Sequence, residues 1–172
     1  MDWWSLTPDP RLSQGDIYRD VPVGLVSQPA ILLTKHSVSG RGEGWFPTPP
    51  PNPKPDGNAH FLAKGGWNAV LVVSHSCDID KDRKKSRVLA CPVRDAATLP
   101  ADARQAVFEQ RKRSAMPLPE VPNLGDAYAD LRFIQVLDGS VLEPVMRVAQ
   151  LSDAGVDRLH KQLIVFFTRL AQ

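Results

Sequence analysis

A polar turn between two apolar runs carries most of the side chains in this sequence that could do chemistry. The runs occupy residues 69–73 and 88–93, and each is short and rich in β-branched residues, as buried strands are. The turn opens with Ser74, His75, Ser76, Cys77 and Asp78. A rigid scaffold often presents its site where a buried strand emerges, so this turn is the first candidate site.

A metal centre is the first chemistry to weigh. His75 and Cys77 are two residues apart and share one face of an extended chain, while Cys91 lies on the expected partner strand. Three such ligands would suit an open catalytic zinc site. The competing interpretation, a core thiol at Cys91 and a hydrogen-bonded loop imidazole at His75, is favoured because the sequence offers no fourth ligand nearby. We therefore predict no metal and no other cofactor.

A nucleophilic thiol is the second chemistry. Cys77 is expected to be exposed at the turn and Cys91 to be buried, and His75 or Lys81 could lower the pKa of Cys77. Against this, residues two apart in one strand rarely reach hydrogen-bonding geometry, and no third, orienting residue is evident.

General acid–base cleavage of RNA is the third chemistry. An imidazole titrates near neutral pH, so His75 could transfer the proton, and Arg94 could supply charge for the phosphate. Residues 81–87 also hold five cations, which a solvated hairpin tip explains more often than a phosphate contact does. The predicted nucleic-acid contacts are Lys64, Trp67, Lys84, Lys85 and Arg87, and the aromatic side chain that stacks on a base would be Trp67 or Trp45.

The flanking segments predict a mainly β protein closed by a helix. A first strand is expected over residues 14–25, with Pro22 marking an edge or bulge, and a second near residues 30–33. A proline-rich insertion at about 37–62 predicts polyproline II or disordered chain. The other expected elements are a helix over residues 99–116 ended by MPLPEVP, and strands over 130–136 and 141–148 joined by a turn at Asp138-Gly139.

The C-terminal segment predicts the clearest element. Ser152 is a plausible N-cap, Leu151 and Val156 form a hydrophobic staple, and apolar residues recur at helical spacing beyond them. We expect a helix from about residue 153 to 170 that buries Leu159, Leu163 and Phe166.

Length and composition bound the remaining possibilities. The chain has 172 residues, a formal net charge of +2 and two cysteines, which suits one domain over 1–172 without a disulfide framework. The first residues contain no basic segment followed by an apolar run, so we expect no signal peptide. No apolar run is long enough to span a membrane. A cytoplasmic protein that does not engage membranes is expected.

The order of these segments resembles the MazF/PemK toxin family. The matching pieces cover about half of the chain and are Gly15-Asp16-Ile17, AVLVVS at 69–74, LACPV at 89–93 and VAQLSDAGVDRL at 148–159. The proline-rich segment and a helical segment at about 96–122 would be insertions. The resemblance implies a small SH3-like β-barrel with a C-terminal helix, commonly dimeric, that cleaves RNA and is neutralised by an antitoxin.

Two hypotheses follow for the function. Where the family commonly has Arg-Pro this chain has Asn68 and Ala69, and Arg94 stands in place of the family's threonine. RNA cleavage is therefore either rebuilt without metal around His75, Asp78, Arg94 and Cys77, or lost. In the second case the chain would be a catalytically silent protein-binding module that uses the 74–80 loop and the proline-rich loop.

Overall fold

The computed structural model describes residues 2–25, 31–38, 42–48, 60–62, 64–79, 82 and 86–168. Its backbone packing divides the chain into two compact units. One unit comprises Met1–Val21 with Trp67–Gln172, and the other comprises Pro22–Gly66. The assignment of one domain with two insertions stays a prediction.

The larger sheet is a seven-stranded half-barrel, as the mainly β prediction required. Its strand order is β10-β1-β5-β6-β8-β7, with β9 pairing separately with β6. The strands are β1 Asp16–Leu25, β5 Lys64–Val72, β6 Arg87–Asp95, β7 Ala115–Val121, β8 Gly125–Asp130, β9 Gln135–Asp138 and β10 Arg147–Gln150, with β2 to β4 described below.

The predicted central hairpin is confirmed. β5 and β6 pair antiparallel, with Ala69 opposite Val93 and Val72 opposite Ala90. Val70, Leu71 and Val72 are fully buried, as is Cys91 across from them. Both faces of the hairpin are covered, which explains why its apolar runs do not alternate with polar residues.

The N-terminal arm links the two edges of the half-barrel. Trp4 forms an isolated antiparallel bridge with Leu151, directly after β10, and its indole N–H donates to the carbonyl of Pro119 in β7 at 3.1 Å. One residue thus holds the first and last strands of the sheet order together. At β10 the arm also pairs with the exposed edge, because the Ser5 N–H donates to the carbonyl of Gln150 at 2.9 Å.

The C-terminal helix α2 spans Asp153–Thr168 and matches the predicted helix. The Ser152 hydroxyl accepts from the backbone N–H of Gly155 at 3.2 Å, which is the expected N-cap bond. Leu159 is fully buried, and Leu163 and Phe166 pack half-buried against the same core. The amphipathic stripe therefore positions the helix on the core as predicted.

The predicted helix over residues 99–116 is shorter than expected. Helix α1 spans only Ala101–Phe108, and the segment predicted to end the helix instead forms β7. Pro117 and Pro119 sit in this strand because β7 is the last in the sheet order. An edge strand tolerates residues that cannot donate a ladder hydrogen bond.

The predicted hairpin around Asp138-Gly139 is wrong. β9 pairs with β6, whereas β10 pairs with β1 at the far side of the sheet order. Short 3₁₀ turns at Gly139–Val141 and Pro144–Met146 carry the chain between them. The Asp138 side chain accepts from the backbone N–H of Ser140, so the Asp-Gly pair starts a 3₁₀ turn rather than a two-residue hairpin.

The smaller unit holds a second, three-stranded antiparallel sheet. Its strands are β2 Ile31–Val38, β3 Gly42–Thr48 and β4 His60–Leu62, in the order β3-β2-β4. The expectation of polyproline II or disorder is wrong for Gly42–Thr48, and the densest prolines, at residues 49–55, lie outside the described residues. Among the described helices, none has the length and apolar character needed to cross a membrane.

Candidate functional site

An open cleft lies where β5 ends and the chemistry-bearing turn begins. Its volume is about 1010 Å³, and it is bounded by the N-terminal arm, the turn and the first half of α2. His75, Gln14 and His160 line it, together with Ser76 and Gln150. Its charged lining residues, among those described, are Asp2, Asp9, Asp153 and Arg11. The cleft is thus rich in hydrogen-bonding groups but holds few cations.

His75 and Cys77 form a close pair in this cleft region. The turn winds into a 3₁₀ helix at Ser76–Asp78, and His75 is its N-cap residue. His75 Nδ1 lies 2.8 Å from Cys77 Sγ and also accepts from the Cys77 backbone N–H at 3.4 Å. The expectation that residues two apart would not meet assumed an extended strand. The helical turn brings them together.

The strand end fixes the position of this turn. The backbone N–H groups of Val73 and Ser74 donate to the carbonyl of Leu89, and the Ser74 hydroxyl accepts from the Leu89 N–H at 2.6 Å. These bonds extend the β5–β6 ladder through a side chain. His75 therefore directly follows a residue, Ser74, whose position is fixed by hydrogen bonds to β6.

His160 is held by Gln14 in a defined tautomer. The Gln14 amide donates its N–H to the carbonyl of Val73 at 2.8 Å, which turns its oxygen toward His160 Nε2 at 2.9 Å. Because a carbonyl only accepts, the Gln14 amide nitrogen must face Val73. Neutral His160 therefore carries its proton on Nε2 and a lone pair on Nδ1.

The two imidazoles stack against each other. The ring centroids of His75 and His160 are 6.0 Å apart, and the rings are inclined by 16°. One ring comes from the turn after β5 and the other from α2. Two imidazoles from different elements in one open cleft give the pair of groups that acid–base catalysis of a proton transfer requires.

A buried carboxylate lies beside this cleft. Asp16 is fully buried and accepts from Gln150 Nε2 and from the backbone N–H of Ser13, both at 2.9 Å. Arg147 lies 3.4 Å away and also donates to the backbone carbonyls of Asp9 and Arg11 in the arm. Desolvation raises the pKa of Asp16 despite the opposing hydrogen bonds and the charge of Arg147. Asp16 thus anchors the residues that hold the arm.

Arg94 lies at the opposite end of β6 from this cleft. Leu89 is beside Ser74, and Arg94 follows Leu89 by five residues, about 17 Å along an extended strand. The predicted convergence of His75 and Arg94 is therefore not found. The side chain of Asp78 lies outside the described residues, so only His75 and Cys77 of the predicted catalytic set are brought together.

The predicted nucleic-acid contacts do not form one surface in the described part of the chain. Arg87 begins β6 at the cleft end, opposite Asp138. Trp67, with 73% of its surface exposed, lies two residues before Ala69 and hence at the Arg94 end. The side chains of Lys64, Lys84 and Lys85 fall outside the described residues.

Arg94 belongs to a second polar cluster, around Asp130. Asp130 accepts from Arg132 Nε and Nη2, both at 2.8 Å, while Arg94 Nε lies 3.3 Å from its carboxylate. Burial alone would raise the pKa of Asp130, but the hydrogen bonds and charge of Arg132, with the charge of Arg94, lower it. The carboxylate is therefore ionised and faces two guanidinium groups.

The proposed metal ligands do not assemble. Cys91 is fully buried within β6, whereas Cys77 is exposed at the turn, as predicted. Within the described residues, no group of three or more His, Cys, Asp or Glu side chains is placed to hold a metal ion.

Sequence reasoning missed His160, Gln14, Arg132 and Phe133. For His160 a signal existed, because it lies four residues after Val156 and three before Leu163, at the spacing of the apolar stripe. A histidine on the apolar stripe of an amphipathic helix faces the rest of the protein, so its presence there indicates a polar contact. For Gln14 and Arg132 the local sequence carries no comparable signal.

Comparison with known proteins adds no relative. No protein-family model matches the chain, and no curated protein sequence is similar to it.

Proposed function

We propose that this protein cleaves single-stranded RNA without a metal ion, with His75 and His160 as the proton-transfer pair. The observation that carries the proposal is the stacking of these two imidazoles in one open cleft, each held by a different neighbour. The cleft volume lies at the upper end of the range for small-molecule pockets, which suits a segment of a polymer.

The tautomers assign the roles. With Nε2–H donated to Gln14, neutral His160 offers Nδ1 as the base that takes the proton from a ribose 2′-hydroxyl. The 2′-oxygen then attacks the adjacent phosphorus, and the bond to the 5′-oxygen breaks. His75 acts as the acid in its imidazolium form: Nδ1–H then faces Cys77 Sγ at 2.8 Å, and Nε2–H is given to the leaving 5′-oxygen, which leaves His75 neutral. The products are a 2′,3′-cyclic phosphate and a 5′-hydroxyl.

The test is incubation of the purified chain with single-stranded RNA in EDTA, followed by analysis of the product ends. Cleavage with cyclic phosphate ends is expected, and His75→Ala or His160→Ala should each lower the rate by about 10² to 10⁴. His36→Ala is the matched control, since it removes an imidazole from β2 instead. Full activity of His75→Ala would exclude this mechanism.

Gln14 acts as a positioning residue in this proposal. Gln14→Leu should lower the rate by about tenfold and alter the pH–rate profile, because His160 loses the acceptor that fixes its tautomer. A lower rate with an unchanged profile would indicate a structural role only.

A cysteine nucleophile is the second candidate, because His75 Nδ1 lies 2.8 Å from Cys77 Sγ. A thiol next to a base can be activated to attack acyl groups. Cys77→Ala separates the two candidates: RNA cleavage should fall only about tenfold, as for the other positioning residue, Gln14, whereas acyl transfer would be lost. The absence of both activities would favour the protein-binding module.

The toxin role, an antitoxin partner and a homodimer are implied by the family resemblance alone. They stay predictions that accompany the proposed RNA cleavage.

A further inference from the structure

The Asp130 cluster at the Arg94 end of β6 presents an unusual combination of side chains. Arg94 and Arg132 both contact Asp130, whose side chain is only 2% exposed. Their guanidinium carbons also lie 5.3 and 5.5 Å from the ring centroid of Phe133. Phe133 itself is 38% exposed. Two cations that share one buried anion thus also lie over the ring of a partly exposed phenylalanine.

The charges in this cluster do not balance. Asp130 accepts three hydrogen bonds from Arg132, one from the backbone and two from the guanidinium group. Arg94 reaches the carboxylate only as an ion pair, and its buried Nε makes no hydrogen bond in the described structure. One carboxylate cannot neutralise two guanidinium groups, so the cluster keeps a net positive charge.

Both arginines keep donors that face solvent. The side chains of Arg94 and Arg132 are 38% and 55% exposed. Asp130 fixes the position of each guanidinium group, which lowers the entropic cost of binding a ligand there. Guanidinium donors match the oxygens of a phosphate group, and an exposed aromatic ring accepts a stacked base.

We propose that Arg94, Arg132 and Phe133 form a docking site for single-stranded nucleic acid, with the backbone phosphate on the arginine pair and a base on Phe133. The cleft that holds His75 has few cations, and this site, at the opposite end of β6, would hold phosphates of the strand other than the one that reacts. The inference shares its nucleic-acid partner with the proposed function, but it does not depend on cleavage.

Binding of a fluorescently labelled single-stranded DNA oligonucleotide, measured by anisotropy at several salt concentrations, tests the site. DNA has no 2′-hydroxyl and cannot be cleaved by the proposed mechanism, so binding is measured apart from catalysis. Phe133→Leu should weaken binding by about tenfold. Arg94→Gln should weaken it and reduce the slope of log affinity against log salt by about 0.7, the value for one phosphate contact on a single strand.

Arg104→Gln is the matched control. Arg104 forms an exposed ion pair with Asp126 at 2.9 Å, and Asp126 lies near the start of β8, whereas Asp130 ends it. Equal losses in Arg94→Gln and Arg104→Gln, or full binding in Phe133→Leu, would overturn the docking site. Loss of DNA binding in Phe133→Leu and Arg94→Gln, with binding kept in Arg104→Gln, would support it even if the wild-type chain cleaves no RNA.

Discussion

The two ends of β6 hold two kinds of polar site built in different ways. At the cleft end, His75 is held by the sulfur of Cys77, and His160 by the amide oxygen of Gln14, which is itself bonded to the carbonyl of Val73. At the other end, Arg94 and Arg132 are positioned by a buried, ionised carboxylate. The first arrangement suits proton transfer, and the second suits binding of anions.

The two buried carboxylates show the same contrast. Desolvation dominates at Asp16, which is the more deeply buried of the two and whose cation, Arg147, approaches only to 3.4 Å, so its pKa is raised. At Asp130 the short hydrogen bonds from Arg132 outweigh a weaker desolvation, and the pKa is lowered. Depth of burial and the geometry of the cationic partner together set the direction of the shift.

The largest expected effect is a double dissociation between the two ends. His75→Ala should lower RNA cleavage at least about 100-fold and leave binding of single-stranded DNA unchanged. Arg94→Gln should weaken DNA binding and leave the pH dependence of the RNA cleavage rate unchanged. Cleavage assays at saturating RNA, paired with anisotropy on the same preparations, measure both. A variant at one end that abolished both properties would break the comparison.

The next effect concerns stability. Asp130→Asn should lower the free energy of unfolding by roughly 2 kcal/mol at pH 7, less than for a fully buried pair because the arginines are partly exposed. A lowered pKa in the folded state means that the ionised carboxylate stabilises the fold above its unfolded-state pKa. This contribution is lost as the pH falls through the folded-state pKa, so the deficit should shrink below about pH 4.

Asp16→Asn is the natural comparison for that measurement. Because the pKa of Asp16 is raised in the folded state, its stabilisation depends on pH in the opposite direction. It is present below the unfolded-state pKa and is lost as the pH rises through the folded-state pKa. At pH 7 this variant should cost less stability than Asp130→Asn. Urea unfolding at pH 7 and pH 4 checks both variants, and a larger loss in Asp16→Asn at pH 7 would contradict the assignment.

The smallest expected effect is the difference in labelling rate between the two thiols, which lie in and next to the central hairpin. Cys77 should react with a thiol reagent at least about tenfold faster than Cys91 in the native protein. Cys77 is exposed at the cleft end, whereas burial, together with the charge of Asp130, raises the pKa of the Cys91 thiol. Labelling Cys77→Ser and Cys91→Ser separately gives the two rates. Equal rates would mean that the hairpin opens readily.

Elements with a complete local signal were predictable. Helix α2 has a cap, a staple and an apolar stripe, and the central hairpin has two apolar runs around a polar turn. β7 was missed because its two prolines argue against a strand unless the strand lies at an edge, and edge position depends on the whole sheet. The pairing of β10 with β1, instead of with β9, likewise depends on the order of strands in the whole sheet.

The sequence by itself determined that His75 and Cys77 follow a buried strand, that Cys91 is buried and that a helix closes the chain. These follow from hydrophobic pattern and from residue types that favour turns and caps, which act over a few residues. Only the tertiary structure decided that His160 faces His75 and that Arg94 joins Asp130, more than 30 positions away, instead of the cleft. The antiparallel register fixes which residues of neighbouring strands lie side by side. It places His75 and Arg94 at opposite ends of β6, although their side chains are of types that could serve one site.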